Sequence, residues 1–186
     1  MNKKLKFTLT TIWILFSRSY DAYCTNLLTP DLSKESNPLV TVLGISSWTP
    51  LLIIISVLTV YAIYAYYISE FKPFNFLPTE KGYSFGNVAA YTYLGYKDSW
   101  LSIFYKFPKD INRFNHYMGR ILTILLIYAG VVSTIMWLLI NNTNYYETIH
   151  SVALIRTILI GGCLLIIYLW RRSLYRQYLA DTRNDK

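Results

Sequence analysis

Three long apolar runs dominate the chain, and each has the length of a membrane span. They cover residues 48–67, 117–140 and 149–170. Because the apolar core of a bilayer is about 30 Å thick, a helix needs about 20 mostly apolar residues to cross it. The pattern therefore predicts three transmembrane helices over these ranges.

The N-terminal segment is harder to interpret because its apolar run is short. Three lysines, at positions 3, 4 and 6, precede the run Phe7–Ser17, as they would in a signal peptide. No small-x-small cleavage site follows it, and residues 6–28 are long enough to cross a bilayer. We therefore predict a retained first span over residues 6–28, with Arg18 and Asp21 in its second half.

Lys and Arg residues indicate the topology, because short cytoplasmic loops are enriched in them. Three segments hold most of the Lys and Arg residues. They are the N-terminal flank (Lys3, Lys4, Lys6), the loop between the second and third spans (Lys72, Lys81, Lys97, Lys106, Lys109, Arg113) and the C-terminal flank (Arg171, Arg172, Arg176, Arg183, Lys186). The two other loops hold one cation, Lys34. Four spans with both termini in the cytoplasm satisfy every loop. The sequence thus predicts an all-α bundle of four transmembrane helices, a single membrane domain over residues 1–186, in the inner membrane of a bacterial cell.

The composition agrees with a membrane protein. Of the 186 residues, 54% are apolar and 15% are charged, whereas about a quarter of the residues of a soluble domain are charged. The formal net charge of +8 would suggest nucleic acid as a ligand of a soluble chain. Here the positive-inside bias explains the charge, so we predict membrane lipids and other membrane-protein subunits as partners, and no nucleic acid.

The predicted cytoplasmic loop, residues 70–115, is long for a connection and is expected to have structure of its own. Asp98 or Ser99 can cap a short helix over Trp100–Lys106. The aromatic residues and lysine of this segment suit a helix that lies in the inner interface of the membrane. Pro108 suits the first residue of an extended third helix.

A short half-helix is predicted on the outer side, between the first two spans. Asn37 followed by Pro38 is typical of an N-cap and a first helical residue. The half-helix is expected to end near Gly44 and to dip into the outer leaflet. Irregular backbone at that depth is tolerated only where it is buried in protein or lines a wet cavity.

Three ionisable residues lie inside predicted spans and away from their ends: Arg18, Asp21 and Arg156. Such residues are costly in lipid and tend to be paired or functional. Arg18 and Asp21 are three positions apart and share one helix face. Asp21 and Arg156 each lie about 10 Å below the outer end of their span, at 1.5 Å per residue. We therefore expect Asp21 to contact Arg156.

Further polar residues complete a candidate binding pocket that opens to the outside. Thr25 extends the polar face of Asp21 by a four-residue step, and Glu35 and Asn37 precede the half-helix. The candidate pocket comprises Arg18, Asp21, Thr25, Glu35, Asn37 and Arg156. The structural alternative is that Asp21 pairs with an arginine to hold two helices in register, and that Asn37 only caps a helix.

The spacing of these residues resembles a known signature. Arg18-x-x-Asp21-x-x-x-Thr25, followed by Glu35-x-Asn37-Pro38-Leu39 and Gly44, is similar to the motif of a family of small multi-pass bacterial membrane proteins of unknown function. That family pairs an intramembrane Asp and Thr with a Glu-x-Asn-Pro motif just before its second span. The resemblance covers the first third of the chain, with a longer spacer after Thr25. It implies that the Asp, Thr, Glu and Asn act as a unit, and it implies no reaction.

The sequence offers no recognisable cofactor site or catalytic set. His116 and His150 lie near opposite membrane faces of the predicted topology, so they cannot share a haem iron. Cys24 and Cys163 lie on different spans, so the four residues make no zinc cluster. There is no phosphate-binding glycine loop, and the glycines of the spans suit close helix packing. We therefore predict no cofactor, no metal and no catalytic residue.

Two functions remain open from the sequence. The missing catalytic set favours a non-enzymatic accessory, assembly or sensing subunit of a membrane complex. The alternative is a membrane-embedded enzyme or carrier for an anionic lipid or phosphate. In that alternative Arg18 and Arg156 hold the anion, because guanidinium groups bind phosphate in bidentate fashion, and Asp21 and Glu35 act as acid, base or metal ligand.

Overall fold

The computed structural model describes residues 2–33, 38–143 and 151–184. Within these ranges the chain is all-α and has no strand, as predicted. Six α-helices and one 3₁₀-helix follow in chain order: α1 (Lys3–Leu28), α2 (Pro38–Thr41), α3 (Trp48–Phe71), α4 (Phe85–Leu94), the 3₁₀-helix η1 (Trp100–Phe104), α5 (Ile111–Asn142) and α6 (Val152–Asn184). Several residues of the sequence predictions fall outside the described residues, namely Lys34, Glu35, Asn37, Glu147 and His150.

Three of the described helices, α3, α5 and α6, are long and apolar enough to cross a membrane. They correspond to the three clear apolar runs, so these predictions are confirmed. Helix α1 has 26 residues, or about 39 Å at 1.5 Å per residue. It is long enough to cross but is not among the helices that are apolar enough to do so. The described residues therefore establish three candidate spans and not four.

Helices α5 and α6 are longer than the sequence pattern predicts. Helix α5 has 32 residues and α6 has 33, which correspond to about 48 and 50 Å, whereas a bilayer core is about 30 Å thick. Helix α5 starts at Ile111 instead of Pro108, because Asp110 caps it. The Asp110 carboxylate accepts the backbone N–H of Asn112 at 2.8 Å, and the Asp110 carbonyl accepts that of Phe114 at 3.1 Å.

The chain forms two compact units. The first comprises Met1–Ile63 and Leu125–Gly162, and the second comprises Tyr64–Ile124 and Cys163–Lys186. Glycines of α5 permit close packing in each unit. A Cβ at Gly130 would lie 2.5 Å from the Ser17 hydroxyl oxygen in the first unit, and one at Gly119 would overlap the Ala65 carbonyl in the second. The close packing predicted for the glycines of the spans is present at these two positions, whereas Gly161 of α6 has open space where a Cβ would lie.

The second unit contains a helix that the sequence pattern does not predict, α4. Ser84 and Asn87 form a capping box at its start, and Gly95 ends it in a left-handed conformation with φ of 89°. Its buried Val88 packs in a small core with Tyr83 and Tyr178. The Tyr178 hydroxyl accepts the Tyr83 backbone N–H at 3.1 Å, which joins α6 to the segment before α4.

The short helix predicted after Ser99 is present in a different form. The Ser99 side chain caps it by accepting the backbone N–H of Leu101, as predicted. It is a 3₁₀-helix over Trp100–Phe104 and not a helix that reaches Lys106. Its start is tied to α4, because the Asn87 amide donates to the Asp98 carbonyl at 2.8 Å.

The predicted half-helix is also shorter than expected. It comprises Pro38–Thr41, and the turn continues to Gly44, whose N–H donates to the Val40 carbonyl at 3.1 Å. Gly44 has φ of 70°, a conformation that glycine adopts at little cost. The predicted cap, Asn37, lies outside the described residues.

Candidate functional site

The charged residues of α1 form a polar clamp with α5, which we define as Arg18, Asp21, Ser133 and Trp137. A guanidinium nitrogen of Arg18 lies 3.6 Å from one carboxylate oxygen of Asp21, one helical turn away. The other carboxylate oxygen accepts the indole N–H of Trp137 at 2.8 Å. Arg18 also donates to the Ser133 hydroxyl at 3.1 Å. Each helix thus supplies two groups, and both carboxylate oxygens of Asp21 have partners.

The spacing of the residues explains how the clamp assembles. Arg18 and Asp21 are three apart on α1, and Ser133 and Trp137 are four apart on α5. Residues at these spacings lie on one face of a helix, so two facing pairs meet without distortion. Only 5% of the Trp137 surface is exposed, which protects its bond to Asp21 from competing water.

Close packing beside the clamp fixes the register of the two helices. Ser17 is fully buried against Gly130, and its hydroxyl donates to the Ile14 carbonyl at 3.2 Å. The indole N–H of Trp13 reaches the Ile127 carbonyl of α5 at 3.5 Å. Small residues at such contacts let helix backbones approach closely in a membrane. The clamp therefore lies on a packed seam between α1 and α5.

The structure brings together only part of the predicted pocket. Thr25 donates its hydroxyl to the Asp21 carbonyl at 2.8 Å, so it bonds within its own helix. Arg156 is exposed on α6. The carboxylate oxygens of Asp21 contact Arg18 and Trp137, and the expected contact between Asp21 and Arg156 stays a prediction. Glu35 and Asn37 lie outside the described residues, so their part in the pocket stays a prediction.

Sequence reasoning missed Ser133 and Trp137. A tryptophan near the end of a span is usually read as an interfacial anchor. A buried indole N–H needs an acceptor, however, and Asp21 is the acidic residue within the apolar part of α1. The need of a buried indole N–H for an acceptor would have suggested the bond between Trp137 and Asp21. Similar depth in the membrane alone suggested Arg156 as the partner of Asp21.

One atom of the clamp has no partner. The Nε of Arg18 is buried and makes no hydrogen bond with any described residue. The contacts among the other clamp groups join Arg18 to Asp21 and Ser133, and Trp137 to Asp21. This arrangement can join two helices, and the buried Arg18 Nε is a donor left for a further group.

A second surface with exposed aromatic side chains lies in the other unit; we define it as the aromatic surface. Its members are exposed or half-exposed: Tyr96, Trp100, Leu101, Phe104, Tyr105, Phe107 and Ile111. Phe104 and Phe107 are 75% and 80% exposed. Exposed aromatic side chains gathered in one segment make it a candidate interaction site.

An ion pair joins the two ends of the segment Asp98–Lys106, which contains most of the aromatic surface. The Lys106 ammonium lies 2.7 Å from an Asp98 carboxylate oxygen. This hydrogen bond from Lys106, together with those from Ser102 and from the Ser99 backbone, lowers the pKa of Asp98 to about 2. The pair therefore closes the segment Asp98–Lys106 around η1 at neutral pH.

Comparisons of the chain with protein-family models, with characterised proteins and with solved structures give no match. The resemblance carried by Arg18, Asp21, Thr25 and the Glu-x-Asn-Pro motif stays a prediction.

Proposed function

We propose that the chain is a non-enzymatic accessory, assembly or sensing subunit of a complex in a bacterial inner membrane. The observation that carries this proposal is the closure of the polar clamp. Both carboxylate oxygens of Asp21 are engaged by residues of the same chain, at 2.8 Å and 3.6 Å. A carboxylate whose two oxygens both have partners within the chain suits a role in joining two helices.

The clamp also supports a fourth span. An isolated arginine or aspartate in lipid is costly, but Arg18 and Asp21 bond to each other and to α5. With these charges satisfied, the 26 residues of α1 suit a span beside the three apolar helices. Four spans, together with the distribution of Lys and Arg, give cytoplasmic N- and C-termini.

Helix α6 supplies the surface for a partner subunit. In the most apolar 18-residue stretch of α6, none of the residues is buried. In the corresponding stretches of α3 and α5, 33% and 28% of the residues are buried. Gly161, in α6, has open space where a Cβ would lie. Small residues on an uncovered membrane helix permit close approach of another helix. We therefore propose that another membrane protein packs against the exposed side of α6.

Photo-crosslinking from α6 tests this assignment. Ile160 and Leu164 are 60% and 63% exposed and lie four positions apart on one face, and Val57 of α3 is a matched control at 62% exposure. A photoreactive amino acid at 160 or 164 is expected to give a discrete adduct with another membrane protein, while position 57 gives lipid adducts. Lipid adducts alone at all three positions would contradict the proposal, as would adducts formed only with a second copy of the chain.

A second candidate function is an enzyme or carrier for an anionic lipid or phosphate, and the buried Arg18 Nε without a partner favours it. Alanine at Asp21, Arg156 or Glu35 separates the two functions when stability and a cellular phenotype are measured together. Loss of phenotype in a normally stable protein supports a ligand site. Loss of stability together with phenotype supports a structural role, and at Asp21 it supports the clamp.

A further inference from the structure

A cleft of about 360 Å³ lies in the second unit, where α3 ends and α5 begins. It is lined by Lys72, Pro73, Phe74, Asp110, Asn112 and His116. It shares no residue with the polar clamp or with the aromatic surface. Its lining combines an ammonium, an imidazole and an amide on one side of the start of a long helix.

His116 is the residue that points to a ligand. It is 2% exposed, and its Nδ1 is buried without a hydrogen-bond partner among the described residues. The ring is held by two aromatic contacts, a stack on Phe74 at 4.6 Å between centroids and an edge contact with Phe76 at 6.0 Å. A buried polar nitrogen without a partner calls for an explanation, since most such groups are satisfied. A ligand bound in the cleft, which His116 lines, explains this nitrogen by giving it a partner.

The surroundings of His116 carry more positive than negative charge. Lys72 lines the cleft, and two guanidinium groups lie over the aromatic rings beside it: Arg113 at 5.0 Å from the Phe74 ring and Arg120 at 4.6 Å from the Phe76 ring. The N-terminal turn of α5 adds a partial positive charge. The Asp110 carboxylate also lines the cleft, but it is engaged as the helix cap. Glu70 acts electrostatically on Arg120.

The donors of the cleft favour an anion over a metal ion. No group of three His, Cys, Asp or Glu side chains converges among the described residues, whereas ammonium, imidazole and amide groups all donate hydrogen bonds. A phosphate group offers several strong acceptor oxygens to such a set. We propose that the cleft binds a phosphate group, with the Lys72 ammonium and His116 Nδ1 as its main donors and the Asn112 amide as a third.

The phosphate has two possible sources, and they share this chemistry. In the proposed topology the cleft lies at the cytoplasmic end of α5, at the level of lipid headgroups, so an anionic phospholipid is one source. A free phosphate or phosphorylated solute of the cytoplasm is the other. The inference does not depend on the proposed accessory function, because it uses different residues.

Binding to the purified full-length protein tests the inference. Native mass spectrometry with phosphatidylglycerol or phosphatidylcholine covers the lipid, and calorimetric titration with inorganic phosphate covers the solute. Lys72→Gln is the main variant because Lys72 is exposed, and Lys109→Gln is the matched control because Lys109 is exposed and does not line the cleft. His116→Gln is a second variant, but its buried ring can be required for folding.

We expect Lys72→Gln to weaken binding about tenfold or more, as loss of a charge-assisted hydrogen bond does. We expect Lys109→Gln to change binding less than about twofold, since it removes an exposed charge that does not line the cleft and is screened by salt. Binding of phosphatidylglycerol without inorganic phosphate assigns the site to a lipid, and binding of inorganic phosphate assigns it to a solute. If neither ligand binds, the inference is overturned. It is equally overturned if the two lysine variants weaken binding alike, since general charge attraction then explains it.

Discussion

The indole N–H of Trp137 donates to the carboxylate of Asp21 at 2.8 Å, across the seam between α5 and α1. This bond gives Asp21, a charged residue within α1, a partner in a buried tryptophan of α5. Because Arg18 approaches the other carboxylate oxygen, the charge of Asp21 is balanced within the helix pair. The bond therefore accounts for the way in which α1 can lie beside apolar helices.

Packing at Gly130 is expected to be as important as the polar bonds. A methyl group at this position would lie 2.5 Å from the Ser17 hydroxyl and 3.2 Å from the Trp13 indole nitrogen. Gly130→Ala should therefore lower the free energy of unfolding by about 1–3 kcal/mol through overpacking. Thermal unfolding in a mild detergent measures this.

Gly161→Ala is the matched control, because among the described residues no atom beyond the adjacent turns of its own helix lies within 4 Å of the position that its methyl group would take. It should leave stability unchanged or raise it by up to about 1 kcal/mol, since alanine favours the helix over glycine. The double change Ser17→Gly with Gly130→Ala should restore part of the loss. Equal effects of alanine at 130 and 161 would show that α1 and α5 do not approach closely.

The Asp98–Lys106 pair predicts an acid-sensitive segment. The pKa of Asp98 is about 2, below its ordinary value of 3.8, mainly because Lys106 donates to it. Since the folded value is the lower one, the stabilisation is present above about pH 4 and is lost as the pH falls through the folded pKa. A carboxyl ¹³C titration of Asp98 should show the low midpoint.

Lys106→Met should move that midpoint up toward 3.8, because it removes the main donor. Lys109→Met removes the same charge from a residue that makes no bond to Asp98, and it should leave the midpoint almost unchanged. A wild-type midpoint near 3.8, or equal shifts in the two variants, would show that the pair does not form in solution.

The aromatic surface is expected to enter the membrane interface. Aromatic side chains prefer the depth of the headgroups, and Phe107 lies only four residues before the start of α5. A cysteine at Phe107, in a background with Cys24 and Cys163 replaced by alanine, can carry an environment-sensitive fluorophore. In liposomes its emission should shift to the blue, and brominated lipids should quench it.

A label at the exposed residue Lys81 of the same unit is the control and should stay in water. If the two labels report the same aqueous environment, the aromatic surface faces the cytoplasm and another partner must cover it.

The three candidate spans were predictable because each follows from a run of about 20 apolar residues, which is a local property of the chain. Helix α4 was not predicted, although Ser84 and Asn87 are typical of a helix start and Gly95 of a helix end. Its ten residues are mostly apolar and small, and such a short run is ambiguous between helix, strand and buried loop. Its packing on Tyr178, far away in sequence, decides the outcome.

The partner of Asp21 was not predictable in the same way. Depth in the membrane can be read from the distance to a span end, and on that basis Arg156 is a suitable partner. Which faces of two helices meet depends on their rotation about their axes and on their neighbours, and neither is a local property. Here Gly130 opens a face of α5 to Ser17, and that contact brings Trp137 to Asp21.

A double-mutant cycle between Asp21→Ala and Trp137→Phe tests the account most directly. Phenylalanine keeps an aromatic ring and removes the indole N–H, so the cycle isolates the bond. Interhelical polar bonds in membranes couple by about 0.6 kcal/mol on average and by up to about 1.7 kcal/mol. Because Trp137 is buried and Asp21 is charged, we expect a coupling of about 1 kcal/mol in the free energy of unfolding.

The matched cycle uses Trp170→Phe, since the Trp170 ring packs on Tyr117 and makes no hydrogen bond to Asp21. Additive effects are expected in this second cycle. Coupling confined to the Asp21 and Trp137 pair would support α1 as a span clamped to α5. Additivity of Asp21→Ala with Trp137→Phe would contradict the clamp, and with it the fourth span and the closed site.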